Sequence, residues 1–220
     1  MDGELSLGRM RLLPKRYAIR IPLYIGVLRL HDGKNPLWRC FFMKKGRNEL
    51  RLTVLLALMV AISILLGKYL AINVGDTLRF SLENTPIILS GIAFGPVAGA
   101  AVGIMADIIG CLMVGYTINP AVTLGAAVIG LLSGLCAAFC RRLSIDGWLK
   151  TITAVSISHI FGSIIIKTAG LAAYYAMPFP ILMLWRFLNY IIIGVLDAVI
   201  INLLLSNPEI QKRIKELRRK

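Results

Sequence analysis

From Arg51 onward the chain alternates long apolar runs with short polar breaks. A helix needs roughly 20 residues to cross about 30 Å of hydrocarbon. Runs of that order recur at about 51–70, 97–115, 120–140, 149–175 and 181–205, and a shorter run at 84–95 halts at Phe94-Gly95-Pro96. The breaks carry turn chemistry: Gly95-Pro96, Gly115-Tyr116-Thr117-Ile118-Asn119-Pro120 and Met177-Pro178-Phe179-Pro180. This pattern predicts an all-α polytopic membrane protein, a bundle of six transmembrane helices filling residues 51–206. Composition agrees, with 57% apolar and 16% charged residues and a mean hydropathy of +0.76.

Within the runs, small residues recur every four positions: Gly95, Gly99 and Gly103; Ala126, Gly130, Gly134 and Ala138; Thr53, Ala57 and Ala61. In lipid, helices associate through close backbone approach, so these read as packing faces. The same spacing argues against a phosphate-cradling glycine loop. Neither a Ser elbow nor an H-e-x-x-H pattern is present, and histidines number only two. The sequence therefore predicts no enzyme, no cofactor and no metal site. Its four cysteines lack a C-x-x-C spacing and read as inert thiols.

The formal charge of +14 could suggest nucleic acid, but its placement argues for topology instead. Twelve of the 25 Lys/Arg fall in residues 1–51, three at Arg141, Arg142 and Lys150, and six in residues 212–220. A six-span bundle puts all of these on one side. Both termini, the Gly95-Pro96 turn and the 141–150 loop are therefore expected in the cytoplasm of a multi-pass cell-membrane protein. Residues 1–50 read as a basic cytoplasmic extension and 207–220 as a basic cytoplasmic tail. The extension either lies on the anionic leaflet, is an unstructured tail, or reflects a translation start placed too early. The first long apolar run begins only after 50 residues, so insertion through uncleaved spans is expected.

Ionisable residues inside spans cost about 2.5–3.5 kcal/mol each at the helix centre, so each is a site hypothesis. Here they are Asp107, His159, Lys167, Arg186 and Asp197. His159, Ser163 and Lys167 share one helix face, while Arg186, Asn189, Tyr190 and Asp197 lie close together on the next span. Counting along the helices at about 1.5 Å per residue puts Lys167 and Arg186 in the outer half, level with Arg79 and Glu83. Tyr116 and other aromatics, among them Phe80, Tyr174, Tyr175, Phe179, Trp185 and Phe187, crowd the same level. Cations beside aromatic faces suit a flat ring bearing carboxylates, since guanidinium forks onto carboxylate and rings stack. Arg79, Lys167, Arg186, Tyr116, Asn189 and Tyr190 are therefore the predicted substrate-binding residues. The plainer alternative is that Lys167 and Arg186 snorkel to the headgroups within an aromatic belt. Asp107 and Asp197 read as structural pairing partners, with an ion-coupled carrier as the rival, and His159 as a hydrogen-bonded packing residue.

The stretch R-F-S-L-E-N-T-P-I-I-L-S-G-I-A-F-G-P-V-A-G-A-A-V-G-I-M-A-D-I-I-G at 79–110, followed by N-P-A-V-T-L-G-A at 119–126, resembles the substrate-binding S components of energy-coupling factor (ECF) transporters, specifically the folate family. The resemblance covers about 51–206. It implies capture of a vitamin, folate for choice, in an outward-facing pocket. It also implies docking through Ala57 and Ala61 on a transmembrane coupling subunit driven by two ATPase subunits. The turn over the expected pocket, G-Y-T-I-N-P at 115–120, departs from the folate-family pattern, which leaves another vitamin or a modified-base precursor open as ligand.

Overall fold

The computed structural model describes residues 47–74, 78–145, 147–175 and 179–218. Most of the predicted basic extension, residues 1–46, and part of the 177–180 turn lie outside the described residues.

The first helix, α1 (Arg47–Ile64), runs into a π turn over Leu65–Tyr69. A short antiparallel hairpin follows, β1 (Ile72–Val74) against β2 (Leu78–Phe80), pairing Ile72 with Phe80 and Val74 with Leu78. The hydropathy pattern predicts only a loop here, and the structure shows paired strands instead. Next come α2 (Asn84–Phe94), α3 (Pro96–Val114) and α4 (Pro120–Arg142). Another long rod is built from α5 (Trp148–Ser158), π turns over His159–Lys167, and α6 (Thr168–Tyr175). The chain closes with α7 (Phe179–Ser206) and a basic helix α8 (Pro208–Arg218).

Five described helical stretches are long and apolar enough to cross a membrane: Glu49–Tyr69, Pro96–Val114, Pro120–Arg142, Trp148–Ala173 and Met183–Ser206. The sixth predicted span is different. Helix α2 has eleven residues, about 16 Å of rise, roughly half the hydrocarbon thickness. It is buried from Asn84 to Ala93, enclosed by α1, α3, α4, α5 and α7. Protein and not lipid surrounds it, so its N-terminal end can begin at membrane depth without exposing backbone to hydrocarbon.

The turns are built as their residues require. Gly95 (φ 107°) separates α2 from α3, and Pro96 sits at the first helical position where its missing N–H costs nothing. Asn119 caps α4, its Oδ1 accepting from the Ala121 N–H at 3.0 Å, with Pro120 again at N1. The Asn119 amide also donates to the Gly170 carbonyl at 3.3 Å, tying α4 to α6. Helix α4 is the hub, packed on α2, α3, α5 and the π stretch. A Cβ built on Gly99 would lie 2.4 Å from the Gly130 carbonyl oxygen, so α3 and α4 touch backbone to backbone.

Candidate functional site

Because α2 starts halfway through the bundle, the residues at its start are delivered to the interior. Glu83 occupies its N-cap position, and Asn84 and Thr85 open its first turn. The half of the bundle away from the Gly95-Pro96 turn closes over them. There Ser63 and Lys68 come from the end of α1 and its π turn, Asp107 from α3, and Lys167 from the π stretch. With Glu83, these side chains line a narrow cavity floored by Ile87. Its volume is about 10 Å³, room for about one water.

The polar groups are closely matched. Lys167 is buried, and its ammonium donates to Glu83 Oε1 at 3.0 Å and Asn84 Oδ1 at 3.4 Å. The Ser63 hydroxyl donates to the Glu83 carbonyl at 2.6 Å. Thr123 donates from α4 to Asp107 Oδ2 at 2.6 Å. Lys68 leans on Cys111 Sγ at 3.9 Å, with its ammonium 5.7 Å from the Tyr116 ring centroid. Three glycines make room for this charge. A Cβ on Gly67 would meet the Glu83 side chain at 2.7 Å, one on Gly110 the Lys68 Cε at 3.0 Å, and one on Gly125 the Lys167 Cγ at 2.6 Å.

A second set of buried polar groups adjoins the cavity. Asp197 is fully buried; its Oδ2 lies 2.8 Å from His159 Nε2, and its Oδ1 accepts the Thr85 hydroxyl. His159 Nδ1 is 3.3 Å from Ser163 Oγ, and Asn84 Nδ2 donates to the same oxygen at 3.5 Å.

Of the predicted binding residues, Lys167 is in the cavity wall. Arg186, Asn189 and Tyr190 sit on α7 against the π stretch: Arg186 donates to the Ser163 carbonyl at 3.4 Å, Asn189 is buried, and the Tyr190 ring lies 5.1 Å from the His159 ring. Tyr116 is largely exposed beneath Lys68. Arg79 falls in β2, its side chain outside the described residues. Trp185 and Phe187 face outward. The sequence pattern places Lys68 in an outer loop and Glu83 in that loop or at the mouth of the second helix, and assigns neither to the site. The signal was present, since the eleven residues between Glu83 and Gly95 are too few to start at the surface and cross.

On the other side of α1, Thr53, Ala57 and Ala61 line an apolar groove of about 610 Å³, facing Ala101, Val102 and Met105 of α3. Its smooth small-residue face is open to the outside of the bundle, with Ala57 and Ala61 exposed.

Residues 47–209 match a family model described as the ECF-type riboflavin transporter, S component. The chain belongs to that family. As an ECF S component it is a multi-pass membrane protein of a vitamin transporter, not a member of an enzyme family. The matching model is described for riboflavin, whereas the sequence resemblance pointed to the folate branch. Solved S components share the fold. FolT bound with folic acid superposes at TM-score 0.56 with 20% identity, over 71% of this chain and 91% of that one. The biotin S component of an ECF-type ABC transporter gives 0.56 at 17% identity, over 78% and 100%. ThiT from Listeria monocytogenes gives 0.53 at 16%, over 74% and 97%. No curated protein matches the chain.

Proposed function

We propose that this S component captures riboflavin in the cavity between α1, α2, α3 and the π stretch, on the side away from the basic segments. The observation that carries this reading is charge balance. Two cations, Lys68 and Lys167, and two anions, Glu83 and Asp107, line the cavity. A neutral ring system with carbonyl and N–H edges can exchange hydrogen bonds with such a set without leaving a buried charge unmatched. Folate brings two carboxylates, biotin one, and thiamine a positive charge, so each would unbalance it. The riboflavin family match supports the same choice.

A drug-sized ligand needs a pocket of about 300 Å³ or more, against about 10 Å³ here. Binding therefore opens the site, with Lys68 and the 115–119 stretch swinging outward from the rim. Lys167 supplies the decisive contact, and Arg186, Asn189 and Tyr190 hold the π stretch that carries it. Arg79 and Tyr116 act at the mouth.

The groove along Ala57 and Ala61 takes the coupling subunit, whose two ATPase partners drive release to the cytoplasm. Its small residues let a second helix approach closely in lipid.

Quenching of riboflavin fluorescence on titration with protein in detergent tests the ligand. Wild type should bind one equivalent, and Lys167→Met should weaken binding about 10- to 100-fold, since a hydrogen bond to a charged group contributes about 1.5–3 kcal/mol. Binding of folate but not riboflavin would overturn the ligand choice while leaving the family intact. Ala57→Trp or Ala61→Trp should abolish co-purification with the coupling subunit at unchanged riboflavin affinity. Uptake into vesicles lacking any ATPase would instead mark an ion-coupled carrier.

A further inference from the structure

The buried groups behind the cavity form one continuous file: Lys167, Asn84, Ser163, His159, Asp197, with Thr85 on the far carboxylate oxygen. Its members come from α2, the π stretch and α7. The two ends differ in kind. An ammonium can only donate hydrogen bonds, and an ionised carboxylate can only accept them. Everything between has rotors or two-sided rings that could point either way.

We propose that His159 and Asp197 are positioning residues for ligand capture, holding the Lys167 ammonium through a one-way hydrogen-bond chain. With a neutral imidazole, one arrangement satisfies every member. Lys167 donates to Asn84 Oδ1, which turns the Asn84 amide nitrogen toward Ser163. Asn84 Nδ2 donates to Ser163 Oγ, so the Ser163 proton goes to His159 Nδ1. His159 then carries its proton on Nε2 and gives it to Asp197 Oδ2. Reversing any link would set two donors or two acceptors face to face. The chain thus orients Asn84 from both sides. With Glu83 it occupies two of the three ammonium N–H bonds of Lys167, and the third is left for the cavity. This role rests on the ligand reading above, because it is the captured molecule that would use that N–H.

The lengths fit a chain that tightens when used. Its charged ends are short, 2.8 Å at Asp197 and 3.0 Å at Glu83, while the three central links are 3.3–3.5 Å. Binding-site hydrogen bonds are often long before the ligand arrives. All five members of the chain are buried, so bulk water does not reach a lost link.

A double-mutant cycle on riboflavin affinity tests the proposal. His159→Gln should weaken binding about tenfold in the wild-type background, about 1.4 kcal/mol. In the Lys167→Met background it should change affinity less than twofold, because the group it positions is gone. Equal losses in both backgrounds would mean a merely structural role and overturn the proposal, as would no loss in wild type. A second measurement needs no ligand, with His31→Gln used to assign the His159 signals. Nitrogen-15 NMR of histidine-labelled protein should show His159 protonated at Nε2 and bare at Nδ1; protonation at Nδ1 would overturn the chain. If wild type binds no riboflavin, the ligand reading falls, and the NMR result alone decides whether the chain stands.

Discussion

Helices α2, α3 and α4 pack against each other differently at their two ends, though both ends use glycine. Near the Gly95-Pro96 turn, backbone meets backbone. A Cβ on Gly91 would lie 2.5 Å from the Gly130 carbonyl, one on Gly130 2.1 Å from Gly99, and one on Gly134 2.4 Å from Pro96. At the other end, Gly67, Gly110 and Gly125 lie beneath Glu83, Lys68 and Lys167. The first set draws helices together where no hydrophobic force between them exists in lipid. The second holds space open for long charged side chains. One residue type thus serves adhesion in both halves, since a Cβ on Gly103 would lie 2.3 Å from the Ala126 carbonyl oxygen beside the cavity, and serves clearance in addition where the charged side chains lie.

This contrast can be broken by adding single methyl groups. Gly130→Ala should have the largest effect: the new Cβ meets the immovable backbone of Gly99, and overpacking of that kind costs about 3 kcal/mol. Thermal unfolding in detergent should show the loss, and riboflavin binding should fail along with the fold. Gly67→Ala should lower the unfolding temperature less than Gly130→Ala and weaken binding about fivefold, near 1 kcal/mol, because the new Cβ meets Glu83 at Oε2 (2.7 Å) and at Cβ (2.8 Å), so the start of α2 must shift with the carboxylate. Gly110→Ala should be the mildest, within about twofold, since the far end of flexible Lys68 can swing aside. If Gly110→Ala unfolds the protein, or Gly130→Ala spares it, the division into adhesion and clearance is wrong.

The spans were legible in the sequence because lipid imposes a length and an apolar composition that few other environments demand. Helix 149–175 and helix 181–205 were placed to within about two residues of their ends. The glycine faces were legible for the same reason. The cavity was only half legible. Lys167 stood out as a charge inside a span, but Lys68 and Glu83 looked like loop residues until α2 was seen to begin inside the bundle. The hairpin carried a signal in Ile72-Asn73-Val74 and Leu78-Arg79-Phe80, alternating about Gly75 and Asp76, that the helical reading passed over. The ligand was illegible for a physical reason: small-residue repeats report how closely helices approach, not which solute lies between them. Choosing among vitamins needs the charges counted around one cavity, and that requires coordinates.

The π turns from His159 to Lys167 have a consequence for the rod that contains them. Each π turn holds its backbone hydrogen bonds one residue wider than an α turn, and at its end the Thr168 hydroxyl adds a side-chain bond to the Ser163 carbonyl at 3.3 Å. If the same nine residues wound as α-helix, each would turn the chain by about 100° in place of the smaller step of a wider turn, and everything beyond them would be rotated relative to what precedes. Hydropathy and length would scarcely change, so membrane insertion would proceed as before. Lys167 would nevertheless swing off the Glu83 side while His159 stayed on Asp197. The nine residues thus set the phase between two stretches of one helix, and their winding rather than their composition keeps the site assembled while the span stays intact.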